Sequence, residues 1–547
     1  MKYAFVSRVM LICLVVFALC SCSGDKAKNV EWEKKQKAAI EAFIAQTNGA
    51  MKVGEIAVAA ADKSFTLKNV EGRVDIKVPG PDMGLISMSY KIAQVRGEGV
   101  NFFDNPPAGA TDSLKKLTLT DFVMITKIEI SPELRAHGGA SMPSEISHTA
   151  SFAEYVCSDL KGDFSLLKEI LSGKLENPDV AKIFSFSVGQ GAGSKYVVEF
   201  AVPDDDSGKM LPLRYTVDSF SYKSVNADGI GPSEFKNINV FLEGRNIFAL
   251  EKMSMRGLSI PGLLLKLFTL EGKARAQTLS SDEFSAIIDT QEIVLDDMRF
   301  ENMTVVSVKP EIAVNLKNVG FSAKHMKSAV TLKVDMQGLL LTPELLSLDE
   351  DLVEFAARLK NIYPKPLSLS LAFDAETAAR ESGEDLLKIN KARFAEDNLG
   401  SIEVTMELLR KKSADSGPLF AEPPFVNDDF SLLKGLLTLK DSGLVDLGFK
   451  AGASFKAQDP AALAQTEAMM RQLVSAAVSM QCLNLGQALS GICLDFNKYI
   501  QAPGEFELGL APAQPVSMEN ILELLLASDA KVLGLSWKYT PPAPPKK

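Results

Sequence analysis

The chain has 547 residues, of which 46% are hydrophobic and 23% are charged, and its formal net charge at pH 7 is −10. This composition excludes a collagen, a coiled coil and a wholly disordered chain, because each of these needs a stronger compositional bias. The negative charge also argues against a broad nucleic-acid-binding surface, which would need clustered Lys and Arg side chains.

The first residues have the pattern of a secretory signal. Lys2 and Arg8 supply positive charge around the start of an uninterrupted apolar stretch, residues 9–19. This stretch is too short to cross a hydrocarbon core of about 30 Å, so it does not predict a transmembrane helix.

The string LCSCSGD over residues 19–25 follows the apolar stretch and resembles the bacterial lipobox, the cleavage site of lipoprotein signal peptides. The resemblance implies a signal peptide over residues 1–21 and a diacylated Cys22 at the mature N-terminus. Ser23 after the lipidated residue implies an outer-membrane anchor that faces the periplasm. Two alternatives stay open: cleavage before Cys20, and an ordinary secretory peptide in which Cys22 is incidental.

A charged, amphipathic segment follows the anchor. Within residues 25–46, apolar residues such as Ile40 and Phe43 recur at helical spacing. Residues 22–50 are therefore predicted to be a lipidated Cys and a tether helix that stands the body of the protein off the membrane.

Beyond residue 50, the dominant pattern is the alternation of apolar and polar residues that indicates β-strands with one buried face. Such strands belong to antiparallel meanders, because parallel sheets bury both faces and have continuous apolar strands. The alternating segments are residues 74–78, 184–188, 330–336, 366–374, 401–408 and 506–510.

Helices are predicted between these strands. Asp459 is a good N-cap and Pro460 suits the first position of a helix. The predicted helices are residues 151–171, 343–360, 461–480, 483–500 and 517–527, and a strand is predicted over residues 533–539.

The predicted fold class is therefore α+β, with mainly antiparallel β meanders in two curled lobes, packed helices and a C-terminal helical pair. The predicted domains are a first β-rich lobe at 51–270, a second at 271–458, a helical pair with closing strands at 459–540, and a Pro-rich tail at 541–547.

Three cysteines remain after Cys22. Cys482 and Cys493 are eleven residues apart and could join two helices through a disulfide, which can persist outside the cytoplasm. The alternative is a pair of buried thiols, since Cys is among the most buried residues. Cys157 is expected to be a core residue.

Several short strings that suggest chemistry lack the rest of their motif. Residues 189–195 are glycine-rich but lack the Lys-Ser/Thr order of a phosphate loop, so they predict a glycine-rich hairpin. Residues 204–208 are acidic but lack the EF-hand spacing, and His137 precedes two glycines without a GxSxG nucleophile. Residues 165–168 and 431–434 match SxxK by chance. We therefore expect no catalytic residue, no metal site, no cofactor and no enzyme activity.

The strings at residues 437–444, 503–508 and 513–517 make the region 430–540 resemble the ending of AsmA-like and YdgA-like envelope proteins. This resemblance implies long β grooves and a role in envelope lipid traffic or homeostasis. It leads us to expect a non-enzymatic envelope lipoprotein that binds a lipid or another amphiphile on an apolar concavity. The alternatives are a periplasmic or surface interaction module with a protein partner, and a hydrolase of envelope material.

Overall fold

The structure is a computed structural model that divides into two compact units, Met1–Met298 and Arg299–Lys547. It describes residues 29–46, 49, 51–77, 83–101, 112–130, 145–162, 187–203, 209–226, 228–260, 292–307, 312–326, 329–348, 352–380, 383–411, 430–457, 459–484, 489–526 and 532–542. Within these residues the predicted fold class is confirmed, because the chain is mostly antiparallel sheet with fewer helical residues.

The first unit is a helix followed by an antiparallel meander. Its long strands pair in the order β1-β2-β3-β4-β5-β6-β7-β9-β10, and the short β8 pairs with β7 and β10. The elements are α1 (Asn29–Gln46), β1 (Met51–Ala59), β2 (Ser64–Lys77), β3 (Met83–Asn101), β4 (Asp112–Ile130), β5 (Glu145–Gly162), β6 (Val188–Pro203), β7 (Met210–Asn226), β8 (Gly229–Ile230), β9 (Ser233–Leu242) and β10 (Arg245–Ser259). A further strand, β11 (Ile293–Val306), contains the boundary between the units.

Two lines of irregular residues cross the sheet of the first unit. Along the first line, the pairing between neighbouring strands skips one or two residues of each strand. On every second strand, a residue of this line has a left-handed φ angle, such as 51° at Asn69 and 49° at Asp121. On the second line, Gly99 and Asp159 have φ angles of 66° and 53°. Asn, Asp and Gly tolerate this conformation, and one such residue bends an otherwise extended strand. The meander is therefore bent along two parallel lines.

These bends explain why the predicted helix over residues 151–171 is wrong in its described part. Residues 151–162 belong to β5, in which Phe152, Tyr155, Cys157 and Leu160 are buried. Pairing passes over a residue between Phe152 and Tyr155 and another between Cys157 and Leu160, so the two-residue alternation widens to three at both places. Spacings of two and three together resemble a helical period.

The predicted tether helix exists as α1, but it packs against β1 instead of standing away from the first unit. Ile40 and Gln36 are buried, and the Glu33 carboxylate accepts a hydrogen bond of 2.9 Å from the backbone N–H of Ala60. The apolar stripe of α1 is therefore part of the core of the first unit.

The second unit is an antiparallel meander with helices inserted near both ends. Its strands pair in the order β12-β13-β14-β15-β16-β17-β18-β20, and β19 also pairs with β17. The elements are β12 (Ala313–Met326), β13 (Ala329–Leu341), α2 (Pro343–Leu346), α3 (Val353–Ile362), β14 (Leu367–Ala379), β15 (Glu384–Glu396), β16 (Gly400–Lys411), β17 (Phe430–Asp441), α4 (Leu444–Ser454), α5 (Pro460–Asn484), α6 (Ser490–Gln501), β18 (Glu505–Leu510), β19 (Val516–Ser517), α7 (Met518–Leu526) and β20 (Ser536–Thr540).

The helices of this unit follow their capping residues. The Asp459 carboxylate accepts hydrogen bonds from the N–H groups of Ala461 and Ala462, which confirms the predicted start of α5. The single helix predicted over 343–360 is wrong, because α2 ends after one turn at Ser347 and α3 begins separately. Helix α4 was not predicted from the sequence.

Two arginines join the helices of the second unit. Arg358 of α3 donates to the carbonyl oxygen of Ser454 at the end of α4, and its guanidinium lies 4.7 Å from the centre of the Phe455 ring. Arg471 of α5 donates to the carbonyl oxygen of Ile500 in α6 and also pairs with Asp446 of α4. The helices therefore form one cluster with charged hydrogen bonds at its contacts.

Candidate functional site

The part of the second sheet from β14 to β18 has one strongly apolar face. Strand alternation places every second side chain on this face, and the antiparallel registers align the side chains of neighbouring strands in rows. One row consists of Phe373, Ala392, Val404, Leu437 and Leu508, and the next consists of Ala375, Ile389, Met406, Gly435 and Leu510.

A cavity of about 580 Å³ lies on this face, within the size range of ligand pockets. Met518 and Ile521 of α7 line it together with the strand residues. Every lining residue is apolar, so the described walls offer no side-chain hydrogen-bond donor or charge. The full lining is Phe373, Leu387, Ile389, Ala392, Val404, Met406, Leu432, Gly435, Leu436, Leu437, Leu508, Leu510, Met518 and Ile521.

Gly435 is the residue that leaves part of this space empty. A Cβ atom at Gly435 would lie 3.6 Å from Leu432 Cδ1 and 3.9 Å from both Met406 Cγ and Leu510 Cβ, which are ordinary van der Waals contacts. A larger residue would therefore fit at this position, and glycine also weakens a strand interior. The cavity exists in part because the residue least suited to a strand lies at its wall.

One end of the apolar face is closed by a packed core. Leu387, Leu408, Phe430 and Leu432 are buried against one another. Beyond them, the Arg410 guanidinium lies 5.8 Å from the centre of the Phe430 ring. A chain lying in the cavity would therefore stop at this end.

The other end of the face is open. Leu371, Phe394 and Ile402 are 38%, 48% and 41% exposed, and they lie opposite one another on β14, β15 and β16. Each lies two residues along its strand from a residue of the cavity wall. The exposed row and the cavity therefore form a continuous apolar surface.

The same row is covered further across the sheet. Phe506 of β18 is buried, and the rings of Phe496 and Tyr499 of α6 lie 5.5 Å and 6.0 Å from its ring. Burial and the Asp441 carboxylate raise the pKa of Tyr499 to about 12. Helix α6 therefore confines the exposed part of the row to β14, β15 and β16.

Two buried carboxylates near this face hold the backbone. Glu396 accepts hydrogen bonds from the N–H groups of Ser368 and Asn398, at 3.1 Å and 2.8 Å. Asp441 accepts two bonds of 2.8 Å from N–H groups at the start of α4. These bonds satisfy backbone donors at a hairpin turn and at a helix end, which is a structural role.

The four cysteines singled out in the sequence have different outcomes. Cys22 lies outside the described residues. Cys482 and Cys493 form a disulfide, with Cα atoms 5.9 Å apart, that joins the end of α5 to the start of α6. Cys157 is buried in β5 and is not part of a disulfide.

The glycine-rich string at 189–195 lies inside β6, so the predicted hairpin is wrong. Gly193 pairs with Phe220 on β7, and the Phe220 ring lies over the glycine and reaches Tyr155 on β5, at a centroid distance of 6.1 Å. Gly191 leaves room for the Tyr222 ring in the same way. These glycines let aromatic rings meet across an intervening strand.

The remaining motifs add no second site within the described residues. Residues 431–434 lie in β17, which supports a chance match to SxxK. The strings at 165–168 and 204–208, and His137, lie outside the described residues.

Among the residues that the structure describes, no group of His, Cys, Asp or Glu side chains has the arrangement of a metal site. Within the same residues, no helix is both long and apolar enough to span a membrane.

The sequence led us to expect an apolar concavity but did not identify the residues of this cavity, although one feature pointed to them. An isolated glycine inside an alternating strand pattern indicates a bulge or a close approach of another group, and Gly435 has this position. The row that contains Gly435 and the row next to it depend on the registers of five strands, and the sequence did not reveal these registers.

Comparison with known proteins gives a partial match. The model of a protein family described only as "Uncharacterized protein" matches residues 396–539. This range runs from the end of β15 into β20 and includes Gly435 and both α7 residues of the cavity wall. The comparison with curated proteins found no match, and neither did the comparison with solved structures.

Proposed function

We propose that this protein is a non-enzymatic, lipid-anchored protein of the bacterial cell envelope that binds the hydrocarbon chain of a lipid or another amphiphile. The observation that carries the proposal is the wholly apolar cavity of the second unit, which continues into the exposed row of Leu371, Phe394 and Ile402. This shape and chemistry suit a long apolar chain that enters from the open end.

The energetics favour a hydrocarbon chain over a polar ligand. Each buried methylene contributes about 0.8 kcal/mol, and a polar group would lose its water without gaining a partner from the described walls. The cavity wall spans five strands about 4.8 Å apart, so it is roughly 19 Å wide across the sheet. A polar headgroup would remain outside, beyond the exposed row.

Lipid extraction and native mass spectrometry of the full-length protein, exchanged from detergent into an amphipathic polymer, test the binding. We expect one non-covalent acyl lipid per chain in addition to the covalent N-terminal modification. A photoactivatable fatty acid should crosslink to peptides of β15, β17 and α7. A chain that carries no lipid and takes up no added phospholipid would contradict the proposal.

The anchor has its own test, because it rests on the lipobox string and not on the cavity. Cys22→Ala should abolish acyl labelling and either leave an unprocessed precursor or release the protein from the membrane fraction. The matched variant is Cys20→Ala, which should be labelled and processed normally. Unchanged acyl labelling of Cys22→Ala would refute lipidation at this residue.

A second candidate function, a protein-interaction module, is favoured by the surface of α5. Met469, Leu473 and Met480 are exposed on this helix. The helix carries two charged residues, Glu467 and Arg471, and they pair with each other. An uncharged apolar helix surface is typical of contact with a protein partner. Pull-down with Leu473→Glu would separate this function from lipid binding.

A further inference from the structure

A second cavity, with opposite chemistry, lies on the polar face of the same sheet. Its volume is about 560 Å³, and it spans β12 to β15. We call it the polar basin. Its lining combines small residues, such as Gly338 and Ser370, with the apolar residues Val334, Leu371 and Phe373 and with long charged side chains. The charged residues are Lys317, Lys333, Lys391, Arg393, Asp335, Asp374 and Asp397.

The three carboxylates of the basin are already engaged. Asp397 accepts hydrogen bonds from the hydroxyls of Ser368 and Ser370, at 2.5 Å and 2.6 Å. Asp374 forms an ion pair of 2.8 Å with Lys333, and Asp335 accepts a bond of 2.8 Å from the Gln337 side chain. Only Asp374 is paired with a cation; Asp335 and Asp397 keep their negative charge, because their hydrogen-bond donors are neutral.

The remaining cations have no such partners. Within the described part of the chain, Lys317, Lys391 and Arg393 form no ion pair, although Glu403 lies opposite Arg393 on β16. Lys391 and Arg393 are partly buried and two residues apart on β15, so both project onto the polar face about 7 Å from one another. The four cations and three carboxylates of the lining therefore give the basin a net charge of +1, in a chain of net charge −10.

We propose that the polar basin binds a phosphate-bearing anion. The planar guanidinium of Arg393 can donate two hydrogen bonds to one phosphate; Lys391 adds positive charge on the same strand, and Lys317 adds it from β12, across the basin. The volume exceeds that of phosphate alone, so the ligand is a phosphate ester with a polar group attached. Both a soluble ester and a lipid headgroup have this chemistry. The inference does not rest on the proposed function, because the charged side chains of the basin alternate with the residues of the apolar rows, although Phe373 lines both cavities.

The test measures binding by calorimetry to the full-length protein, exchanged from detergent into an amphipathic polymer so that the lipid vesicles stay intact. The soluble probe is glycerol 3-phosphate, and the lipid probes are vesicles of phosphatidylcholine with and without phosphatidylglycerol. The double variant Lys391→Gln, Arg393→Gln removes the basin charges. The matched control, Lys388→Gln, Lys440→Gln, removes the same net charge from exposed positions on the same sheet.

We expect saturable binding that the basin variant weakens by at least about tenfold and the control leaves within about twofold. Binding of glycerol 3-phosphate would identify a soluble ester as the ligand class. Binding confined to the phosphatidylglycerol vesicles, and lost in the basin variant, would identify a lipid headgroup. The proposal is overturned if neither probe binds, or if the control weakens binding as much as the basin variant. Circular dichroism of both variants checks that the sheet is intact.

Discussion

Filling the apolar cavity at Gly435 should make the protein more stable and less able to bind lipid. In Gly435→Leu, the added side chain enters space that a Cβ atom reaches at ordinary contact distances of 3.6 Å to 3.9 Å. Burial of a leucine side chain contributes about 1.5 to 3 kcal/mol. Replacing glycine within a strand adds about 0.5 to 1 kcal/mol, and fixing the leucine rotamer costs about as much. The free energy of unfolding of the second unit should therefore rise by about 2 kcal/mol.

Urea unfolding is monitored through the fluorescence of Trp537, which lies on β20. Trp32 is replaced by Phe, so the fluorescence signal comes only from the second unit. Lipid uptake is measured on the same samples. The matched control is Gly448→Leu, because Gly448 lies on α4 and a Cβ atom there has no neighbour within 4 Å. The control should bind lipid normally. If Gly435→Leu binds lipid as well as the unmodified chain, or is less stable, the cavity is not the binding site that we propose.

Three further changes test the structure. The double variant Cys482→Ala, Cys493→Ala should lower the stability of the second unit by about 3 kcal/mol and make urea unfolding insensitive to reductant; equal sensitivity in both proteins would contradict the disulfide. Gly193→Ala should destabilise the first unit by about 1 to 3 kcal/mol, because the Phe220 ring occupies the position of the new methyl group; a thermal shift near zero would contradict this contact. The pKa of Tyr499 is raised to about 12 in the folded protein, against an ordinary value near 10, so the unfolded chain releases this proton at a lower pH. The free energy of unfolding should therefore fall by about 2 to 3 kcal/mol between pH 10 and pH 12. Tyr499→Phe should remove that part of the fall, and unfolding curves at pH 9 and pH 12 measure the difference.

Local patterns predicted much of the fold. Alternation in residues 401–408 identified β16, and Asp459 with Pro460 identified the start of α5. Both signals depend on residues close in the chain, namely the period of a strand and the capping of a helix end. The helix predicted over 151–171 is wrong in its described part, because the irregular pairing in β5 changes the spacing of its buried residues.

The candidate sites depend on contacts between distant residues. The wall of the apolar cavity includes both Phe373 and Ile521, and the lining of the polar basin includes both Lys317 of β12 and Arg393 of β15. Nothing in the local sequence fixes these distances, because they follow from the registers of several strand pairs. Local signals also do not show that Gly435 lies at a cavity and Gly193 under an aromatic ring.

The sequence alone therefore determined the elements with strong local periods or caps, the antiparallel class of the sheets and the expectation of an envelope lipoprotein. The tertiary structure decided which apolar faces are filled by side chains and which are left open. The physical reason is that alternation specifies that a strand has an apolar face, whereas the packing of other elements determines what covers it. On β14 to β18, helix α6 covers one part of that face and leaves Phe394 exposed beside an unfilled cavity.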